Sequence, residues 1–224
     1  LELINLSKKY ENLLFKNINY KFTLGKIYSI FGKNGIGKTT LLDIISGFNK
    51  ADNGYIDYGD LKDEIMYIGE NPIPFELLTG KEFVITTLEF KDIKIDDCEI
   101  DSLFKKFEIE DFKDNIINTY SKGMKYKLLI IIILISKPKV LILDEPLVDI
   151  DIITIENISQ IFHNIKDSII IFSTHISNIA FKLSDEILYL TQNGIINVTN
   201  NFKSSEEIEN YILNLMKDGR IYEK

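Results

Sequence analysis

Eight residues, Gly32-Lys33-Asn34-Gly35-Ile36-Gly37-Lys38-Thr39, hold the densest chemistry in this sequence. They fit G-x-x-x-x-G-K-[ST], a phosphate-binding loop. Glycines let a backbone wrap an anion without Cβ clashes. The loop's N–H groups and the helix N-terminus that follows then face the phosphates. Lys38 is placed to reach the β and γ phosphates, and Thr39 to offer its hydroxyl to Mg²⁺. Thr40 continues the contact at the helix start. Such a loop needs an acidic partner for the metal. Val140-Leu141-Ile142-Leu143-Asp144-Glu145 supplies it, four apolar residues and then two carboxylates. Strand ends of this kind are where open α/β sheets bind ligands. Asp144 is expected to hold Mg²⁺ through water. Glu145 is the candidate general base that polarises the attacking water.

The elements around these residues suit that chemistry. Ile27–Phe31 is an apolar strand leading into the loop, and Thr39–Phe48 has the helical spacing leading out. Ile18, Tyr20 and Phe22 alternate with polar residues, as in a half-buried strand. Asp52-Asn53-Gly54 and Tyr58-Gly59-Asp60 are turn signals around a short strand, Tyr55–Asp57, with Ile65–Ile68 another strand. From Gly80 to about Lys137 the pattern is helical and charged, and Pro138 stops the last helix. Val140–Leu143 and Ile169–Phe172 are continuous apolar runs that suit strands buried on both faces. Ile187–Leu190, Asn193-Gly194 and Ile195–Val198 spell a hairpin. Ile208, Tyr211, Ile212, Leu215 and Met216 form one face of a C-terminal helix, for packing on the body or on a partner. Cores at 1–74 and 138–199 with an insert at 75–137 and a C-terminal helix in 200–224 make one domain.

The 224 residues, 45% of them hydrophobic, suffice for one α/β domain with a real core. The longest apolar stretch, Leu128–Ile135, is too short to span a bilayer and reads as a buried helix. Leu1-Glu2-Leu3-Ile4-Asn5 lacks the charged-then-apolar pattern of a secretory signal, so a cytosolic protein is expected. The single Cys98 excludes an intramolecular disulfide and a cysteine-based metal site. A net charge of −8 argues against a broad nucleic-acid surface, and no nucleic-acid partner is expected. His163 lies in a polar helix with no motif around it and reads as a surface residue.

Together these features resemble the ATP-binding cassette family, the ATPase subunits of ABC transporters, over about Leu1 to Thr199. Tyr120-Ser121-Lys122-Gly123-Met124-Lys125 discriminates best, lying where that family places its LSGGQ signature. Lys122 and Met124 depart from the consensus, while Ser121 and Gly123 remain. Similar versions occur in bacterial cassettes of antibiotic- and lantibiotic-type exporters. The resemblance implies an α/β fold with a P-loop NTPase core, an N-terminal antiparallel β region and an inserted helical subdomain. It implies that Tyr10 stacks on adenine and that Glu70 stands at the family's Q-loop glutamine as a further metal ligand. It implies that Asp151 is the D-loop aspartate, that His175 in Phe172-Ser173-Thr174-His175 senses the γ phosphate, and that Ser121 and Gly123 touch ATP on a partner subunit.

The function so implied is an ATPase, with ATP and Mg²⁺, energising a separate membrane permease, an exporter by the flavour of its signature. Two cassettes, a homodimer or a pair with a related chain, close head to tail on two MgATP. The groove near Asn71 to Lys81 is expected to receive the permease, at the cytoplasmic face of the membrane. The alternatives are a soluble cassette ATPase, for example in cofactor assembly, and a regulatory nucleotide-binding subunit.

Overall fold

In the computed structural model, which describes residues 1–70, 73, 75–147 and 150–217 (backbone alone at Met216 and Lys217), the apolar runs become neighbouring strands. Asn71, Pro72, Pro74, Asp149, the Met216 side chain and residues 218–224 lie outside the described residues. The strands are β1 (Glu2–Lys9), β2 (Leu13–Lys21), β3 (Ile27–Phe31), β4 (Asn53–Asp57), β5 (Ile65–Ile68), β6 (Val140–Leu143), β7 (Ile169–Thr174), β8 (Glu186–Thr191) and β9 (Gly194–Thr199). The helices are α1 (Lys38–Ser46), α2 (Gly80–Glu89), α3 (Asp97–Lys106), α4 (Lys122–Ser136), α5 (Ile152–Asn164), α6 (Ser177–Leu183) and α7 (Ser205–Lys217). The chain divides into two compact units. One is Leu1–Glu70 with Lys139–Val148 and Ile155–Lys224; the other is Asn71–Pro138 with Asp149–Thr154.

The first unit holds two sheets. The larger runs β5-β6-β7-β3-β8-β9, parallel except for β9, which pairs antiparallel with β8 in the expected hairpin. Every residue of β3, β6 and β7 is buried, as continuous apolar runs demand of central parallel strands. Alternation divides their side chains between two cores. Tyr28, Ile30, Leu188 and Leu190 join Leu41, Leu42, Ile44 and Ile45 of α1 and Phe15 and Ile18 of β2. Phe31, Ile187 and Tyr189 join Ala180 of α6 and Ile208, Ile212 and Leu215 of α7. The C-terminal helix therefore packs on the body of this unit.

The smaller sheet, β2-β1-β4, is antiparallel. Here one expected turn is corrected. Asn53 and Gly54 belong to β4, and Gly54 stands opposite a bulge in β1. Register slips between Ile4 and Ser7, where Asn5 has φ 52° and Gly54 φ 82°. A Cβ on Gly54 would lie 2.3 Å from the Ile4 carbonyl oxygen and 2.4 Å from that of Asn5, so glycine alone fits. Tyr58-Gly59-Asp60 leads instead into a 3₁₀ turn, Gly59–Glu64.

The second unit is helical, and each helix starts on a side-chain cap. Thr79 and Glu82 form a reciprocal capping box on α2, Asp96 caps α3 and Ser121 caps α4. Leu128 to Ile133 of α4 are buried. Lys137, at φ 45°, ends α4 just before Pro138. Asp101 accepts from Lys81 and Lys113, each at 3.1 Å, tying α3 to α2 and to the following loop. Among the described residues no helix is long and apolar enough to cross a membrane.

Gly54→Ala is expected to destabilise the protein by roughly 2–4 kcal/mol, because it adds a clash with main chain to a left-handed φ. Urea unfolding measures it. A loss below about 0.5 kcal/mol, the level of an ordinary surface substitution, would show that the bulge relaxes without glycine.

Candidate active site

Four strands of the first unit, β5, β6, β7 and β3, end side by side. Ile68 pairs with Leu143, Leu143 with Phe172, and Phe31 with Thr174. The residues just past those ends are Glu70, Asp144 with Glu145, His175, and Gly32 with its loop. Sheet register alone thus gathers most of the expected site.

The loop runs from Gly32, whose N–H donates to Thr174 O at 3.3 Å, to Gly37, which precedes α1. Gly37 has φ 105° and Gly35 φ 83°, left-handed values that favour glycine. Lys33, Asn34, Gly35 and Thr39 are exposed, while Ile36, Gly37 and Thr40 are half-buried. Unlike α2, α3 and α4, helix α1 has no side-chain cap and no acidic residue in its first turn. By helix geometry the N–H groups of Lys38, Thr39 and Thr40 have no intrahelical acceptor. Open donors at a positive helix end are suited to phosphate.

Lys38 is 6% exposed, and its ammonium is the hub of the site. Nζ donates to Gly32 O at 2.9 Å and to Lys33 O at 3.3 Å, and pairs with Glu145 Oε1 at 3.2 Å. His175 Nδ1 lies 3.1 Å from Glu145 Oε2. Glu145 therefore stands between the lysine and the histidine, on a backbone with φ 46°. A non-glycine residue in that region is uncommon and is often found at functional sites.

Asp144, 3% exposed, accepts the Ser173 hydroxyl at 2.5 Å, and the Glu145 N–H donates to the same oxygen at 2.8 Å. Sequence spacing gave Ser173 no role, since its partners lie on the neighbouring strand. Tyr67 of β5 is a second residue missed in this way. Its hydroxyl donates to Asp43 Oδ1 of α1 at 2.9 Å. Burial, that hydrogen bond, and the charges of Asp43 and Asp144 push its phenol above the ordinary range, so it stays a donor.

The remaining expected residues sit differently. Tyr10 is 56% exposed, its hydroxyl accepts from Asn49 Nδ2 at 3.0 Å, and Lys8 Nζ lies 5.2 Å from its ring centroid. The lysine thus lies over one face of the ring, a cation–π arrangement. Glu70 is exposed, one strand away from Asp144, whose N–H donates to Ile68 O at 2.9 Å. In the second unit, Ser121 is exposed and Gly123 half-buried at the start of α4. Ser121 Oγ accepts the Met124 N–H at 3.2 Å, which leaves its own proton to donate. Asp151 accepts from the Thr154 N–H at 2.9 Å and from its hydroxyl at 2.7 Å, starting α5. These bonds hold its carboxyl below the usual range. His163, expected at the surface, is half-buried, with Nδ1 2.8 Å from Ser159 O on its own helix.

The oxygen donors fit magnesium. Thr39 and Asp144 offer a hydroxyl and a carboxylate, both hard ligands. Among the described residues no group of three or more His, Cys, Asp or Glu could hold a metal by itself. An ion carried by phosphates and water, with one or two protein oxygens, is the usual magnesium arrangement.

Known proteins share this pattern. A family model described as "ABC transporter" matches residues 15–148. The chain is 30% identical over 221 residues to the lantibiotic transport ATP-binding protein SrtF of Streptococcus pyogenes, covering 93% of this chain and 94% of that one. It is 31% identical over 197 residues to the zinc import ATP-binding protein ZnuC of Rickettsia bellii, covering 85% and 82%. A solved ATP-binding subunit of an ABC transporter matches its fold with a TM-score of 0.78 at 22% identity, over 95% of this chain and 98% of that one.

Proposed function

The chain belongs to the ABC transporter family as an ATPase subunit, and we propose that Lys38, Asp144, Glu145 and His175 hydrolyse ATP between two such subunits closed head to tail. The observation that carries the reading is the Glu145 carboxylate held between Lys38 and His175.

Phosphate oxygens compete with the Gly32 and Lys33 carbonyls and with Glu145 for the Lys38 ammonium. Once Lys38 turns to the β and γ phosphates, Glu145 is free to accept a proton from the attacking water. The water oxygen bonds to the γ phosphorus while the bond to the bridging oxygen breaks, and Lys38 offsets charge on the departing diphosphate. His175, within reach of the Glu145 carboxylate, orients that base and meets the γ phosphate. Thr39 and Asp144, with Glu70 beside them, hold Mg²⁺, which neutralises charge on the phosphates when bound. The N–H groups from Gly32 to Thr40 bind the phosphates, and Tyr10 stacks on the base.

Ser121 supports the head-to-tail pairing. Its hydroxyl caps α4 as an acceptor and still has a proton for a γ phosphate on the partner subunit, with the Gly123 N–H beside it. The partner is a second copy or a related cassette. The pair energises a separate permease from the cytoplasmic face of the membrane, docked near Phe75 to Lys81. We read the direction as export from the Ser121-Lys122-Gly123-Met124-Lys125 signature. Transport assays in inside-out vesicles test that direction.

Glu145→Gln should retain ATP binding and slow turnover by roughly 10²–10⁴-fold, the scale of a general base. Hydrolysis at the wild-type rate would remove Glu145 from that role. Ser121→Arg should leave ATP binding to the monomer intact and abolish nucleotide-dependent dimers in size-exclusion chromatography. Persistent dimers would rule out the head-to-tail arrangement. A mild-detergent pull-down from source cells should recover a polytopic membrane protein in near-equal amount. Recovery with cytosolic partners alone would favour a soluble cassette ATPase.

A further inference from the structure

We propose that Ser173 is a positioning residue for hydrolysis, its buried hydroxyl fixing Asp144 and Glu145 relative to one another. The inference rests on the reading above, in which those two carboxylates serve the reaction.

Ser173 lies on β7 after four apolar residues, Ile169 to Phe172, and is fully buried. A hydroxyl in such surroundings is costly unless partnered. Its two partners are Asp144 Oδ1 and the Glu145 N–H. The direction of both bonds is forced. The N–H can only donate, so Oγ accepts from Glu145, and the single hydroxyl proton is left for the Asp144 carboxylate. No rotation of the hydroxyl serves both partners in another way.

Two consequences follow for the site. One oxygen of Asp144 is occupied, so the carboxylate is oriented and presents its other oxygen elsewhere. The Glu145 peptide is held at a residue whose φ, 46°, few non-glycine residues adopt. That peptide sets the direction in which the Glu145 side chain leaves toward Lys38 and His175. Ser173 thus acts through Glu145 and Asp144 and needs no contact with nucleotide.

The test compares Ser173→Ala, Glu145→Gln and the double variant for ATP affinity without Mg²⁺, kcat and melting temperature. Ser173→Ala is expected to lower kcat about 10–100-fold, the scale of a misplaced catalytic group. Its Kd for ATP without Mg²⁺ should stay within about 3-fold, since the hydroxyl touches neither the phosphate loop nor Lys38. In the Glu145→Gln background the same change should cost at least about 3-fold less than in the wild type, because one of the two groups it positions is already gone. Wild-type kcat in Ser173→Ala, a parallel loss of affinity and kcat, or a fully additive double variant overturns the inference. If Ser173→Ala does not fold, Ser173→Cys replaces it. Its similar volume keeps the packing while its thiol is a weak donor, so a reduced kcat supports the inference and full turnover overturns it. A slow Glu145→Gln beside an unimpaired Ser173→Ala rejects this inference alone. A fast Glu145→Gln rejects the general-base reading, and this inference with it.

Discussion

An ammonium group that is nearly out of water must find acceptors for its hydrogens. Lys38 finds them in two carbonyls of its own loop and in the Glu145 carboxylate. That one group joins the segment after β3 to the end of β6, although β7 stands between the two strands. The intervening strand must then present compatible residues at the same height. It does so with Ser173, below, and His175, beyond its end. Loop shape, sheet register and the placement of a carboxylate are thus one problem with one solution. Two of the lysine's acceptors are main chain, so the loop's outline does not depend on what Lys33 carries as a side chain.

The helix starts express a second constraint. Each helix of the second unit closes its own open N–H groups with a threonine, aspartate or serine. Helix α1 begins on Gly37, which has no side chain to do so. Its first turn also carries Lys38 where the helix dipole disfavours a cation. Both features cost helix stability, and a phosphate anion at that end would offset the cost. Tyr67 then ties this helix to β5 through Asp43, so the phosphate-binding end and the strand leading to Glu70 are braced together.

Much of this is legible in the amino-acid sequence. Runs such as Val140–Leu143 admit few placements other than the middle of a parallel sheet, and the loop motif names its own ligand. What escaped was pairing between residues distant in sequence. Ser173 looked like one hydroxyl in an apolar strand, because its partners are fixed by the β6–β7 register, which no local pattern encodes. Asn53-Gly54 misled for a related reason. Glycine marks a left-handed φ equally in a turn or opposite a bulge, and only the approach of β1 decides between them. Tyr10 and Asp151 showed the limit from the other side. Their bonds to Asn49 and Thr154 are what any exposed tyrosine or helix-starting aspartate can make.

The order of strands also bears on how the chain is made. Strand β3 pairs on one side with β7 and on the other with β8, its residues 27–31 meeting residues 170–174 and 186–189. During synthesis the phosphate loop therefore leaves the ribosome with both flanks of its strand bare. Closing such long chain segments is entropically costly, and topologies dominated by distant pairs fold slowly. Until residue 189 has emerged, one edge of β3 lacks its strand partner and Phe31 lacks the cover of Ala180, Ile187 and Tyr189, a state prone to aggregation. The nucleotide site is accordingly among the last parts to form, and its completion reports that nearly the whole first unit has been built.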